Sequence, residues 1–402
     1  MDQSPALSSL PEAQPKQRLI RRTLALFHGA LKELASPKER RNPYLDGLRT
    51  IAVLLVINGH CSDTIAAAFG SNAYTRFPLE PNGWIGVDLF FVLSGFFIGS
   101  QLWRELDKTG TISFKNFVIR RGLRIWPLYF FIFICVSLLL PGLAAAKQHG
   151  WSDLVFLTNY LPHGIVLGGW SLCTEEQFYL LAPAALLLIG ARSKRSYRWG
   201  LGLLFVLEFV VRAVTYHAHT GHLFVRSPAA FEILYYPFHT HCDGLIAGLF
   251  ISNLASVKSE RPAMRRPWLL VLAGFVVMLA AKWFQPETLD FTGLALFFGA
   301  LVWWGTQKNI RIFDSRIFYW FSRLSFGMYL IHPYFIHLFV DRLAPLLRPH
   351  LGASASTALC AALLAVFAAL VSTVTFCLVE HPFLVLRTAI LRRRATPRLV
   401  AT

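Results

Sequence analysis

Ten stretches of this chain are apolar over lengths that suit a lipid bilayer, and no other feature constrains its fold as strongly. They fall at about residues 47–66, 84–104, 124–141, 172–190, 199–215, 239–256, 268–284, 289–305, 323–343 and 357–380. A helix needs about 20 residues to cross the hydrocarbon. Backbone groups in lipid find no water, so each must be satisfied inside its own helix. The expectation is an all-α, polytopic membrane protein with about ten transmembrane helices. Composition agrees, since 15% of residues are charged, against about 25% in soluble domains. The fourth run is weakest at its start, where WSLCTEEQFYLLAP holds two adjacent glutamates.

A formal net charge of +17 raises the question of nucleic acid. The distribution of that charge excludes it as a partner. With ten spans, the segments 1–49, 104–124, 191–198, 256–267, 306–323 and 384–402 share one side, and they hold 32 of the 39 Lys and Arg. Such asymmetry is the positive-inside signal and predicts both termini in the cytoplasm, with the basic side against anionic membrane lipid. Two of the seven remaining cations, Arg212 and Lys282, fall at predicted helix ends. The localisation expected is a multi-pass protein of a cytoplasmic membrane.

Residues 1–43 form a polar segment without the apolar core of a cleaved signal. The first 17 are expected to be disordered. In RLIRRTLALFHGALKELAS, about residues 18–36, Ile20, Leu24, Phe27, Leu31 and Leu34 repeat at helical spacing. That stripe predicts a short amphipathic helix lying on the inner membrane surface. The transmembrane domain is expected over 44–383, followed by a basic cytoplasmic tail at 384–402. Two long outer loops, 142–171 and 216–238, are rich in His, Trp and Tyr, and long loops are where binding sites form. The six cysteines are not paired as CxxC and read as small buried hydrophobes. No metal site is expected, because the outer-loop histidines match no ligand spacing.

The first span, YLDGLRTIAVLLVINGHCSD, carries an arginine and a histidine separated by ten residues. Eleven residues turn an α-helix through three turns plus about 20°. Arg49, Val53, Val56 and His60 therefore share one face, with His60 about 16 Å above Arg49. That rise is roughly half the apolar thickness of a bilayer. An ionisable residue at that depth is expected to face the bundle interior or a wet cavity. In FVIRRGLRIWPLY, Arg121 and Arg124 are i, i+3 neighbours at the start of the third span. Paired guanidiniums suit phosphate. Together these residues point to a path that admits an anion from inside and leads to a base at mid-depth.

At this point the motifs resemble the acyltransferase-3 family of bacterial membrane proteins, which O-acylate surface polysaccharides. The Arg-x10-His of that family is matched by Arg49 and His60. GWIGVDLFFVLSGFFIG resembles its FFVLSGF block, with Asp88 and Ser94, and RGLRIWPLY its R-x-x-R. WSLCTEEQFYLLAP resembles a block with Glu175 at the family glutamate and Tyr179 beyond it. CDGLIAGLF, SFGMYLIHPYF and VEHPF resemble later elements, with Asp243 and His332. The chain departs from the family where relatives often carry an Arg before this Asp; here His241 and Cys242 stand there. Some relatives append an SGNH-type esterase-like domain, which the chain is expected to lack.

The resemblance implies an acyl-CoA co-substrate, acetyl-CoA first, with no permanently bound cofactor. It also implies a carbohydrate or lipid-linked glycan acceptor at the outer face. His60 is the expected general base, since neutral imidazole suits proton removal near pH 7. Glu175, or Asp63 one turn beyond His60, is expected to orient the ring. Arg49, Arg121 and Arg124 are expected to bind the donor's phosphates. Asp63, Asp88, Ser94, Tyr179 and His332 are further cavity-lining candidates, although Ser94 within FFVLSGFF also suits close helix packing and Asp88 a structural pairing. The alternative is a multispanning transporter or flippase of a glycan or small anion. Against it, no internal repeat is visible. A non-catalytic scaffold would not need Arg49 and His60 aligned.

Overall fold

The computed structural model describes residues 15–36, 41–76, 83–142, 150–161, 164–189, 193–222, 228–256, 266–284, 287–307 and 310–395. The polar start expected to be disordered lies mostly outside them, as do parts of both long outer loops, the connection 257–265 and the last residues of the basic tail. The described residues contain helices and turns and no strand. The helices are α1 (Pro15–Ala35), α2 (Pro43–Phe69), α3 (Ile85–Thr109), α4 (Phe114–Leu139), α5 (Gly169–Ile189), α6 (Lys194–Thr220) and α7 (Pro228–Tyr235). They continue with α8 (Asp243–Ser256), α9 (Trp268–Phe284), α10 (Glu287–Gln307), α11 (Arg316–Ile331), α12 (Ala344–Thr375) and α13 (His381–Ala395).

Among the described residues, seven helical stretches are long and apolar enough to cross a membrane: α2 to α6, most of α10, and the continuous run Leu338–Arg394. Helix α8 and residues Trp268–Ala280 of α9 are apolar but shorter. The chain is an all-α, multi-pass membrane protein. Local chemistry sets the helix starts. Asn42 caps α2 by accepting from the Tyr44 and Leu45 amides, with Pro43 in the first turn. Ser113, Ser193 and Ser315 cap α4, α6 and α11 in the same way.

Two elements differ from the sequence reading. The ninth apolar run is interrupted: α11 stops at Ile331, a 3-10 turn spans His332–Tyr334, and a π-turn follows at Leu338–Leu343. Pro333 cannot donate into a continuing helix, which ends the helix there. The basic segment from 384 onward is largely not a tail, because residues up to Ala395 belong to α13, which packs against α4 and α1. Helix α1 covers the predicted amphipathic segment. Ala30 and Leu34 are buried against the bundle, while Leu24, Phe27 and Leu31 of the predicted stripe are turned outward.

Helix α3 runs through the centre and packs along α8. A Cβ on Gly95 would overlap the Leu245 carbonyl, and one on Gly248 the Val92 carbonyl. Small residues let the two backbones meet, and Trp103 Nε1 donates to Ser252 Oγ across the same contact at 2.9 Å. Gly95 thus performs the close packing expected of the Ser-Gly pair, and Ser94 is left for other work.

Helix α6 shows the polarity of the whole bundle. Its outward residues are apolar, Leu203, Val206, Leu207, Val210 and Val214, whereas Glu208 and Arg212 are buried. Arg212 is not an end-of-helix cation. Its guanidinium donates to Glu208 at 3.2 Å, Asp243 at 3.1 Å, the Thr240 carbonyl at 3.1 Å, and Thr292 Oγ1. It supplies from another helix a cation for Asp243. Alongside, Asp88 Oδ1 meets His241 Nε2 at 2.9 Å, and both are buried. Arg212→Met leaves two buried carboxylates without their cation, so a loss of about 3–5 kcal/mol is expected. Thermal unfolding in detergent should fall sharply, and adding Asp243→Asn should restore part of it; an unchanged midpoint refutes this role.

Candidate functional site

Ser113 caps α4 by accepting from the Asn116 amide, and on that helix Arg121 and Arg124 line a cavity shared with α2, α3, α5 and α11, while Arg120 pairs with Glu105 of α3 at 2.8 Å. The two arginines meet Arg49 of α2 in one cavity of about 140 Å³. Ser94 and Phe97 of α3 and Glu175 and Tyr179 of α5 form another wall. Ser322, Ser325 and Tyr329 of α11 complete it.

Each guanidinium is held differently. Arg124 reaches Glu380 at 3.2 Å. Arg121 donates to the neutral Gln101 side chain at 2.8 Å. Arg49 lies over the Phe97 ring, 4.1 Å from its centroid, and has no carboxylate in ion-pair contact among the described residues. Across the cavity a short chain of hydrogen bonds runs along the wall. Tyr179 donates to Glu175 Oε2 at 2.6 Å. Its one proton being spent there, Ser94 donates to the Tyr179 oxygen at 2.6 Å. The predicted residues Arg49, Arg121, Arg124, Ser94, Glu175 and Tyr179 therefore share one site.

The histidines stand apart from it. His60 and His332 stack with ring centroids 5.2 Å apart, and His60 Nδ1 is 2.9 Å from His332 Nε2. His332 Nδ1 is 3.0 Å from the Met328 carbonyl, which can only accept. With both rings neutral, His332 carries its proton on Nδ1, so its Nε2 accepts from His60 Nδ1–H. His60 Nε2 is then the unprotonated atom, on a ring with an exposed edge while His332 is fully buried. Val53 and Val56, on the face shared by Arg49 and His60, are buried in the core between them. Tyr329 lies at the boundary, lining the cavity with its ring 6.0 Å from that of His332. His332, rather than Glu175, bonds His60. Asp63 is exposed one turn beyond, and Asp88 belongs to the separate pair with His241. Among the described residues no group of three or more His, Cys, Asp and Glu could hold a metal ion.

Several participants were not singled out from the sequence. Glu380 is delivered to Arg124 by a π-turn at Phe376–Glu380, across 256 positions. Gln101 reaches Arg121 from α3, and Arg323 pairs with Glu33 of α1 at 2.7 Å. A lone Gln or Arg within a helix carries no local signal. For Glu380 the closing VEHPF block was the available hint.

Tyr179→Phe removes the donor to Glu175 and the acceptor for Ser94. A loss of about 1–3 kcal/mol is expected, read as a lower thermal midpoint in detergent. Ser94→Ala should cost less, because Glu175 keeps its partner; the reverse order would refute the assigned direction of the chain.

Comparison with known proteins gives this geometry a context. A family model described as an acyltransferase domain, acyltransferase-3, matches residues 42–379. The peptidoglycan O-acetyltransferase OatA of Listeria monocytogenes is 26% identical over 334 residues, covering 72% of this chain and 48% of that protein. A Staphylococcus aureus protein provisionally named an O-acetyltransferase is 26% identical over 331 residues, covering 73% of this chain and 50% of its own. A Bacillus subtilis protein, provisionally a peptidoglycan O-acetyltransferase, is 31% identical over 195 residues, 43% of this chain and 28% of that one. The chain thus spans about half the length of the curated relatives it matches. No solved structure matches it.

Proposed function

Because the chain belongs to the acyltransferase-3 family, we propose that it is a membrane-embedded O-acyltransferase that moves an acyl group from cytoplasmic acyl-CoA to a glycan hydroxyl at the opposite face. Acetyl is the first candidate, as the relatives named above are O-acetyltransferases. A polysaccharide such as peptidoglycan, or a lipid-linked glycan, is the acceptor class. The distribution of Lys and Arg supports a cytoplasmic basic end and a bacterial inner membrane. The observation that carries the reading is the convergence of Arg49, Arg121 and Arg124 on one cavity that reaches Tyr329, directly against the histidine pair.

In this reading the guanidiniums hold the donor's phosphates, and its thin pantetheine arm extends toward Tyr329. The thioester carbonyl then lies between the cavity and His60. The acceptor hydroxyl arrives from the other side. His60 Nε2 takes its proton as the oxygen attacks, a new C–O bond forms, and the C–S bond breaks. The departing thiolate recovers the proton from the imidazolium. His332 keeps His60 in the tautomer that leaves Nε2 free, a positioning role. Glu175, bonded to Tyr179, positions the hydroxyl-bearing wall beside the thioester. Keeping the polar path inside a ring of apolar helices excludes water from a thioester that would otherwise hydrolyse. The transporter reading has no comparable use for a base with one fixed tautomer.

His60→Ala should lower acyl transfer by at least about 10²-fold, with the amount of protein in the membrane unchanged; normal glycan acylation in that variant excludes the catalytic role. His332→Ala should lower kcat, because His60 loses the partner that fixes its tautomer, while leaving KM for acyl-CoA in place. His332→Gln, which can still accept from His60, should recover part of the loss. The double variant Arg121→Ala, Arg124→Ala should chiefly raise KM for acyl-CoA, and an unchanged KM removes the donor site from this cavity.

A further inference from the structure

The basic end of the cavity is bordered by two further clefts, of about 390 and 440 Å³. The first shares Arg124 with the cavity and adds Arg323; the second shares Arg121 and adds Arg120. Both are lined by Arg387, Thr388 and Arg392 of α13. The C-terminal helix therefore bounds both entrances. It is fixed against α4 through side-chain packing and through Arg394, which donates to Asn116 at 3.3 Å.

Charge pairing along this path is uneven. Arg120 is matched by Glu105, Arg124 by Glu380 and Arg323 by Glu33, at 2.8, 3.2 and 2.7 Å. Arg49, Arg121 and Arg387 have no carboxylate partner among the described residues. Arg387 is half-buried and bonds no described residue, although it stands beside other arginines. In the first cleft Glu33 is the carboxylate facing this group, and it is already paired with Arg323, so an anion arriving between the arginines relieves the repulsion among like charges. The three guanidiniums without an ion pair run in order along the openings: Arg49 in the cavity, Arg121 at its junction with the second cleft, and Arg387 in both clefts.

An acyl-CoA has phosphates in a matching order. Its diphosphate joins the pantetheine arm, and its ribose phosphomonoester lies farther from the thioester. A phosphomonoester carries the highest charge per phosphorus and suits a guanidinium fork. We propose that Arg387 binds the ribose 3′-phosphate of the acyl donor, so that the C-terminal helix is part of the donor site and selects phosphorylated from dephosphorylated coenzyme. This rests on the acyl-CoA reading above. The shared chemistry, a phosphate on a guanidinium, could equally serve a lipid headgroup, and the test separates the two.

The experiment is calorimetric binding of CoA and 3′-dephospho-CoA to the purified full chain in uncharged detergent, repeated with phosphatidylglycerol added. The wild type should prefer CoA by about tenfold or more. Arg387→Gln should bind both compounds alike, at the wild-type affinity for dephospho-CoA, and Arg387→Lys should keep part of the preference. A preference fully retained in Arg387→Gln overturns the assignment, as does a wild type that binds both compounds equally; in either case the acyl-CoA reading stands. A wild type that binds neither compound overturns that reading and the assignment with it. Phosphatidylglycerol that erases the wild-type preference assigns Arg387 to lipid and overturns the proposal. Retention of the wild-type thermal midpoint by Arg387→Gln identifies any binding loss as local.

Discussion

A charge removed from water must find its counterpart inside the protein, and in a bundle surrounded by lipid there is no solvent-facing side to which it can retreat. This constraint shapes every polar feature described here. Arg212 is enclosed by Glu208, Asp243 and Thr240, and His241 by Asp88 and a backbone carbonyl. Arg124 is held by Glu380. Breaking such a pair is strongly destabilising because the remaining partner is left buried and alone. Against that background, the guanidiniums without carboxylates become informative. Three of them, Arg49, Arg121 and Arg387, line adjoining openings at the basic end.

The same constraint separates two polar regions that the linear sequence places on a single helix face. Arg49 opens into the basic cavity, His60 stacks on His332, and the valines between them are packed into the core. Tyr329 stands between the two regions, lining the cavity with its ring 6.0 Å from that of His332. The interruption of the ninth apolar run at Pro333 has a direct consequence at this point. It ends α11 where His332 can bond Met328 with one nitrogen and His60 with the other. A continuous helix through this position would not be required to make that turn. Irregular backbone at membrane depth is tolerated where it is enclosed by protein, and here it carries His332 of the stacked pair.

Much of the site was legible because its residues are unusual where they stand. Arginines at i, i+3 and a histidine deep in an apolar run are both conspicuous against lipid. The partners of those residues were not legible. Glu380, Gln101, Arg323 and Arg387 are ordinary polar residues within or beside helices, and their relevance comes from helices distant in the chain. His332 was visible as a candidate, whereas its bond to His60 was not. The nominal basic tail read as topology charge because composition alone does not say that it folds back onto α4.

By itself, the sequence determined that this chain is a bundle of apolar helices with ionisable residues set within them. Those properties follow from lipid hydrophobicity and helical period, which act locally along the chain. Only the tertiary structure decided which polar groups meet: Arg124 with Glu380, Arg212 with Asp243, His60 with His332. Such pairings depend on the rotation and packing of helices around one another, and close approaches such as that of Gly95 to Leu245 set this geometry. Neither period nor composition encodes it.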